Sequence, residues 1–382
     1  MIPINKPQLG EEEKREVMSV IEENALTSAA ADGGKRVRDF ESLMKEYLGC
    51  KHVIAVNSGT AALHAALLAA GIGPGDEVLV PSFTFVATAN AVVAAGAKPV
   101  FVDIEKHDYT IDVSDAKRKV TRKTKAVIPV HLYGHPCDMD AVSELAQKRS
   151  LAVIEDACQS LGSTYKKRQT GTFGAMGCFS MYASKVLTAG EGGAIATDDS
   201  RLADELKMIR NHGMVKGYDT RVLGLNLRLP ELAAAIAKVQ MAKLTSMLAA
   251  RRKNAELMSE LLQGAKDVAL PQESDDRVFN WYLYTVCLAK GAARDGVMAR
   301  LQKEGIGATV YYNPPVHKTP YYRKLSAATK LPATEWCAGR VLSLPVHPGV
   351  GEGDVRRTAA ELVLALSSPT TASAASSSPS QP

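Results

Sequence analysis

Continuous apolar runs recur between residues 52 and 197: His52–Val56, Glu77–Val80, Pro99–Asp103, Ala126–His131, Leu151–Glu155, Gly177–Met181 and Gly193–Thr197. Each has the length of a strand. Most lack polar alternation, the pattern of strands covered on both faces. Between them Ala61–Ala70, Ala87–Ala95 and Met139–Lys148 carry apolar positions at helical spacing. This alternation predicts an α/β fold, with a mostly parallel seven-stranded sheet between helices.

After Asp199 the pattern changes. A helix is expected at Leu202–Ile209, then a Gly-rich loop. A long Ala-rich helix follows from Pro230 to about Arg252, with the proline near its start. Beyond it come a strand at Trp281–Leu288, a helix at Arg294–Glu304 and a Pro-rich stretch, Asn313–Pro320. The reading is an N-terminal arm and large domain over 1–245, and a smaller C-terminal α/β domain over 246–366. The uncharged Ser/Ala-rich tail, 367–382, reads as disordered.

With 382 residues, 46% of them hydrophobic, the chain can bury one large core and a smaller one. A net charge of +5 with interspersed signs is too even for a nucleic-acid track. The clusters Lys117–Lys125 and Arg251–Lys253 read as solvated faces. The N-terminus has acidic residues where a signal peptide needs an apolar core, and no run approaches a membrane span. Six cysteines without CxxC pairing point to neither a disulfide framework nor structural zinc, so a cytoplasmic protein is expected.

Several groups fall just past the carboxyl ends of predicted strands, where α/β sheets bind ligands. In NSGTAALHAALLAAG the turn SGT opens a helix, so Gly59, Thr60 and Ala61 can form a phosphate cradle or an ordinary Ser/Thr-capped helix start. Asp156, ending the run LAVIED with Gln159 three residues on, can hold a cationic ring nitrogen or simply cap a turn. GIGPGDE follows a helix and precedes a strand, the wrong order for a dinucleotide fingerprint, and reads as a helix C-cap and turn. In HLYGHPC, His131, His135 and Cys137 lack a fourth metal ligand and read as satisfied loop residues; no metal is expected. Lys185 lies among small residues between two strand runs in FSMYASKVLTAGEGG. A lysine there either snorkels to the surface or is an amine whose environment favours Schiff-base chemistry.

Taken together, SGTAALHAALLAAGIGPGDEVLVPSFTFVATANAV, IEDACQSLGSTY, FSMYASKVLTAGEGGAIATDD and HGM…GLNLRLPELAAAI, in that order, resemble the pyridoxal-phosphate-dependent nucleotide-sugar aminotransferase family of fold type I. The resemblance runs from IPINKPQLGEEE to SLPVHP. It implies that Lys185 carries pyridoxal 5'-phosphate as a Schiff base and that Asp156 pairs with the cofactor's ring nitrogen. Gly59, Thr60, Ala61 and the Ser180 hydroxyl would hold the phosphate. Phe85 would stack on the ring, Gln159 would reach its phenolic oxygen, and Asn226 would cross a homodimer interface to the partner's phosphate. The implied reaction takes an amino group from L-glutamate, leaves the cofactor as pyridoxamine 5'-phosphate, and passes the amine to a nucleotide-diphosphate-linked keto-sugar. Tyr182, Arg228, Tyr312 and His317 are the candidates for the substrate's neighbourhood.

Two departures from the family pattern bear on the sugar: the long segment LTSAAADGGKRVRDFE, and Tyr182 where many relatives carry histidine or another aromatic residue. A family offshoot with histidine in place of the lysine is a dehydratase, and Lys185 points away from it. The competing readings are a keto-cyclitol aminotransferase and a non-catalytic, cofactor-binding regulatory protein.

Overall fold

The computed structural model describes residues 1–289, 294–326 and 329–367. Its main sheet has seven strands: β1 (His52–Val56), β2 (Glu77–Pro81), β3 (Lys98–Val102), β4 (Thr124–Val127), β5 (Ala152–Asp156), β6 (Met176–Ser180) and β7 (Gly193–Thr197). Their spatial order is β1-β7-β6-β5-β4-β2-β3. Only β7 opposes its neighbours, pairing antiparallel with both β1 and β6. The other six strands therefore point the same way, and their carboxyl ends share one edge of the sheet.

Helices cover both faces, as the unbroken apolar runs require. On one side lies α3 (Gly59–Ala69), whose Ala and Leu side chains are buried nearly all round against β1, β5, β6 and β7. Helix starts follow local chemistry. Ser58, Asp138 and Asp199 each accept a backbone N–H from the first turn of the helix they precede. Gly49 closes the helix Lys35–Leu48 in the left-handed region, φ 69°.

The second sheet is small and antiparallel, with Tyr284–Leu288 between Val268–Ala269 and Val341–Leu344. Arg294–Lys303 and Glu352–Ser367 pack beside it. The expected strand from Trp281 begins only at Tyr284, because the Trp281 and Tyr282 carbonyls accept from Arg251 rather than from a neighbouring strand. Ser367 ends the last helix, and the tail 368–382 lies outside the described residues.

The long helix departs most from expectation. It runs Glu231–Leu262, 32 residues, ten past Arg252, and the expected domain boundary after 245 falls inside it. Its polar cluster looks like a helix end in sequence but serves tertiary contacts. Arg252 pairs with Glu273, and Asn254 donates to the carbonyls of Val346, His347 and Val350. Arg251, expected on a solvated face, is instead 2% exposed. By length and composition this helix could cross a membrane, which reading separate apolar runs did not register. Here it packs against Glu11–Glu22, Lys35–Leu48 and Glu352–Ser367.

The N-terminal arm is clipped to the small domain: Ile2 bridges to Ile306, and His347 Nε2 lies 3.1 Å from the Pro3 carbonyl.

Glu155 and His131 form a buried hub. One Glu155 oxygen accepts from the N–H groups of Phe173 (2.6 Å) and Gly174 (2.7 Å). The other accepts from Gly171 N–H (2.7 Å) and lies 2.9 Å from His131 Nε2. The Cys137 N–H donates to His131 Nδ1, so the Nε2 nitrogen carries the proton toward Glu155. Among the described residues, no group of three or more His, Cys, Asp or Glu could hold a metal ion.

Glu155→Gln turns an NH2 group toward these donors. It should cost about 3 kcal/mol or more, read as a lower urea midpoint with unchanged slope. His135 and His347 are both held down to about 4 by burial. Folded, they stay neutral where the unfolded chain takes up protons. The part of the stability that His135 and His347 contribute should therefore be full above about pH 6.5 and fall as pH drops toward 4, read as the difference between wild type and His347→Gln in urea unfolding across that window.

Candidate active site

At the shared carboxyl edge of β1, β2, β5 and β6 lies a cavity of about 540 Å³. Its outer wall is made by Tyr282, Tyr311 and Tyr312. A groove of about 1240 Å³ between 106–109 and 262–279 is larger, and in it Arg277 pairs with Asp108 and Lys166 with Asp140. It offers no converging reactive set.

One end of the smaller cavity is the N-terminus of α3. Ser58 caps the helix: its Oγ accepts from Ala61 N–H (3.1 Å), and its carbonyl from Ala62 N–H (3.0 Å). The N–H groups of Gly59 and Thr60 lie outside the helix's own ladder, and both residues line the cavity. Ala61, expected in the same cradle, has its N–H donated to the Ser58 cap.

Two glycines allow this packing. A Cβ on Gly59 would lie 2.7 Å from Ser180 Cβ and 2.9 Å from Cys158 Sγ. A Cβ on Gly193, the last residue of GEGG, would lie 2.2 Å from the Ser58 carbonyl oxygen.

Across the cavity, Asp156 ends β5 with a carboxylate that is 6% exposed. Thr88 Oγ1 donates to its Oδ2 (2.8 Å), and the Cys158 N–H donates to its Oδ1 (3.2 Å). Gln159 is oriented by Tyr133, whose N–H donates to Oε1 (2.8 Å). Its NH2 group is thereby presented toward the cavity and donates to the Tyr312 hydroxyl (3.2 Å). Ser180 stands at the end of β6, beside Gly59.

Lys185 completes the set, with Nζ 4.8 Å from the centre of the Tyr282 ring. Phe85, 53% exposed, and Tyr312 have ring centres 5.8 Å apart, and Tyr182, 49% exposed, lines the opening. Burial pushes the Tyr311 phenol up to about 12 and the Tyr312 phenol well above its ordinary value, so both remain protonated donors at neutral pH. Burial, with the Asp156 charge, also holds the Cys158 thiol well above its ordinary value. It stays a thiol, and Lys185 supplies the cavity's amine.

The structure thus brings together Gly59, Thr60, Phe85, Asp156, Gln159, Ser180, Tyr182, Lys185 and Tyr312. Three other expected residues stand apart. Asn226 is exposed on a loop, bridged through its backbone to Asn211, and Arg228 donates to Asn211 Oδ1 (2.7 Å). His317 is 2% exposed, held between Ser82 Oγ (2.7 Å) and Glu335 (3.3 Å), and burial lowers its proton affinity. Thr88 and Tyr282 were not singled out in the sequence. Thr88 had a local signal, standing three residues after Phe85 in the first turn of the helix Val86–Ala94. Tyr282 is far from the other lining residues in sequence and had none.

Gly59→Ala should overpack the contact with Ser180 and Cys158 and cost about 1–3 kcal/mol. The check is a urea titration beside Gly73→Ala, where the nearest atom to an added Cβ is 3.9 Å away and little loss is expected.

The DegT/DnrJ/EryC1/StrS aminotransferase family matches residues 7–363. A pleiotropic regulatory protein of Geobacillus stearothermophilus is 41% identical, covering 90% of this chain and 92% of its own length. UDP-N-acetyl-3-dehydro-α-D-glucosamine 3-aminotransferase of Acidithiobacillus ferrooxidans is also 41% identical, with 85% and 87% covered. Among solved structures, S. venezuelae DesV in complex with a ketimine intermediate is 35% identical, with TM-score 0.89 and 94% and 95% covered. The fold, the set of groups in the cavity and a match over nearly the whole chain agree: this protein belongs to the DegT/DnrJ/EryC1/StrS aminotransferase family.

Proposed function

We propose that the protein transfers an amino group from L-glutamate to a nucleotide-diphosphate-linked keto-sugar, with pyridoxal 5'-phosphate bound in the 540 Å³ cavity, in amino-sugar biosynthesis in the cytoplasm. The observation that carries this reading is the convergence of three unlike groups on one cavity: a helix N-terminus, a buried carboxylate and a lysine amine. A phosphate suits the first, a protonated ring nitrogen the second and an aldehyde carbon the third. The missing Cβ of Gly59 keeps the first end open.

In this reading the N–H groups of Gly59 and Thr60, with Ser180 Oγ, bind the phosphate. Asp156, fixed by Thr88 and the Cys158 N–H, holds a proton on the ring nitrogen. Phe85 would cover the ring, and the Gln159 NH2 group would donate to the ring's oxygen. When bound, the cofactor supplies an electron sink for the negative charge that develops at the donor's α-carbon. Lys185 Nζ would be the base that takes the donor's α-proton and the acid that returns it.

Among the described cavity-lining residues the only cation is Lys185, and Glu191 is a carboxylate at the rim. A diphosphate and the donor's carboxylates need further cations. A homodimer would supply them from a partner copy of the 212–228 loop, which carries Lys216, Arg221 and Arg228, with Asn226 as a neutral donor beside them.

The relative named as a regulatory protein motivates a second reading, cofactor binding without turnover. Absorbance separates the two. The wild-type protein loaded with pyridoxal 5'-phosphate should show a visible band that L-glutamate bleaches and a nucleotide keto-sugar restores. Lys185→Ala should lack that band. A band unmoved by glutamate supports the regulatory reading, and restoration by a keto-cyclitol alone assigns the other acceptor class.

A further inference from the structure

Arg251 is a buried charge with no carboxylate partner among the described residues. It is 2% exposed, and its guanidinium meets neutral oxygens: the carbonyls of Trp281 (3.3 Å) and Tyr282 (3.1 Å) and Asn5 Oδ1 (3.0 Å). Its Nε is buried without a hydrogen-bond partner, and burial pushes its proton affinity down to about 10. Taking a guanidinium out of water costs several kcal/mol, and a methionine or leucine at this point of the helix would avoid that cost. What Arg251 holds gives the reason for keeping it.

Two of its three contacts, those with Asn5 and Tyr282, lead to the reacting lysine. Asn5 accepts from Arg251 through Oδ1, while its Nδ2 donates to the carbonyl of Ser184, the residue before Lys185. Tyr282, whose carbonyl Arg251 binds, places its hydroxyl 3.2 Å from Ser184 Oγ and its ring under Lys185 Nζ. The ends of this strut are fixed. The arm is clipped on one side of Asn5 by Ile2, which exchanges backbone hydrogen bonds with Gly305 and Gly307. On the other side the Gln8 carbonyl accepts from Gln240 (2.8 Å).

We propose that Asn5 and Arg251 are positioning residues, through which the N-terminal arm sets the placement of the Lys185 amine in the cavity. A planar guanidinium fork that binds two successive carbonyls and an amide oxygen at once does what neither an apolar residue nor lysine can do. The proposal rests on the reading that Lys185 carries pyridoxal 5'-phosphate.

The test uses full-length wild type, Asn5→Ala, Arg251→Lys and, as a control in the same arm, Gln8→Ala. Each is mixed with pyridoxal 5'-phosphate. The readouts are the rate at which the visible band forms, the pH midpoint of that band, and thermal unfolding without cofactor. A misplaced reacting group costs one to two orders of magnitude. Band formation should therefore slow about 10-fold or more in both Asn5→Ala and Arg251→Lys, and the pH midpoint should move. Gln8→Ala should match wild type. The slowing should also appear in Asn5→Ala when its unfolding temperature equals that of wild type, which a purely structural role would not produce. Wild-type rates and midpoint in Asn5→Ala overturn the proposal. Absence of any band in wild type instead overturns the cofactor reading beneath it.

Discussion

At the end of β5 two carboxylates stand next to each other in sequence and face opposite sides of the sheet, as the two-residue period of a strand requires. Glu155 turns away from the cavity and gathers three backbone N–H groups from residues 171–174. It thereby fixes the loop that feeds β6, and with it Ser180 and the segment carrying Lys185. Asp156 turns into the cavity and stands opposite the start of α3. A slip of one residue in β5 would exchange the two, leaving a structural carboxylate in the site and three donors unpaired. The site depends on this register more than on any single contact within it.

The opposite end of the cavity depends on closeness rather than charge. Helix α3 can start against β6 and β7 only because Gly59 and Gly193 have no side chains there, so its free N–H groups reach the cavity at all. Between the two ends, hydrogen bonds orient what the sheet positions. Thr88 and the Cys158 N–H aim Asp156, and Tyr133 aims Gln159. Carboxylate and amide thus arrive with their orientation settled by neighbouring donors.

Much of this was legible in the residues. The seven strands stand where the apolar runs lie, and β7 begins and ends at the expected residues, because strands buried on both faces leave a signal that survives without context. Nine of the expected site residues meet in one cavity; eight lie at or just past strand ends, and Tyr312 is brought in from a separate segment. What local pattern could not show depended on distant partners. The polar cluster of the long helix looked like a terminus and a solvated face. Only the fold shows Arg251 answered by Asn5 and by carbonyls thirty residues on. Tyr282 had no motif to mark it. His317 has the right chemistry for a substrate contact, but the packing of Ser82 and Glu335 buries it.

The central claim is that Lys185, among all the lysines of the chain, is the residue to which pyridoxal 5'-phosphate attaches. The most direct measurement is borohydride reduction of the cofactor-loaded protein, proteolysis, and location of the modified lysine by mass spectrometry. The account predicts the modification on Lys185, in near-stoichiometric amount and displaced when L-glutamate is added before reduction. Modification spread over surface lysines, or concentrated on another lysine, would contradict it.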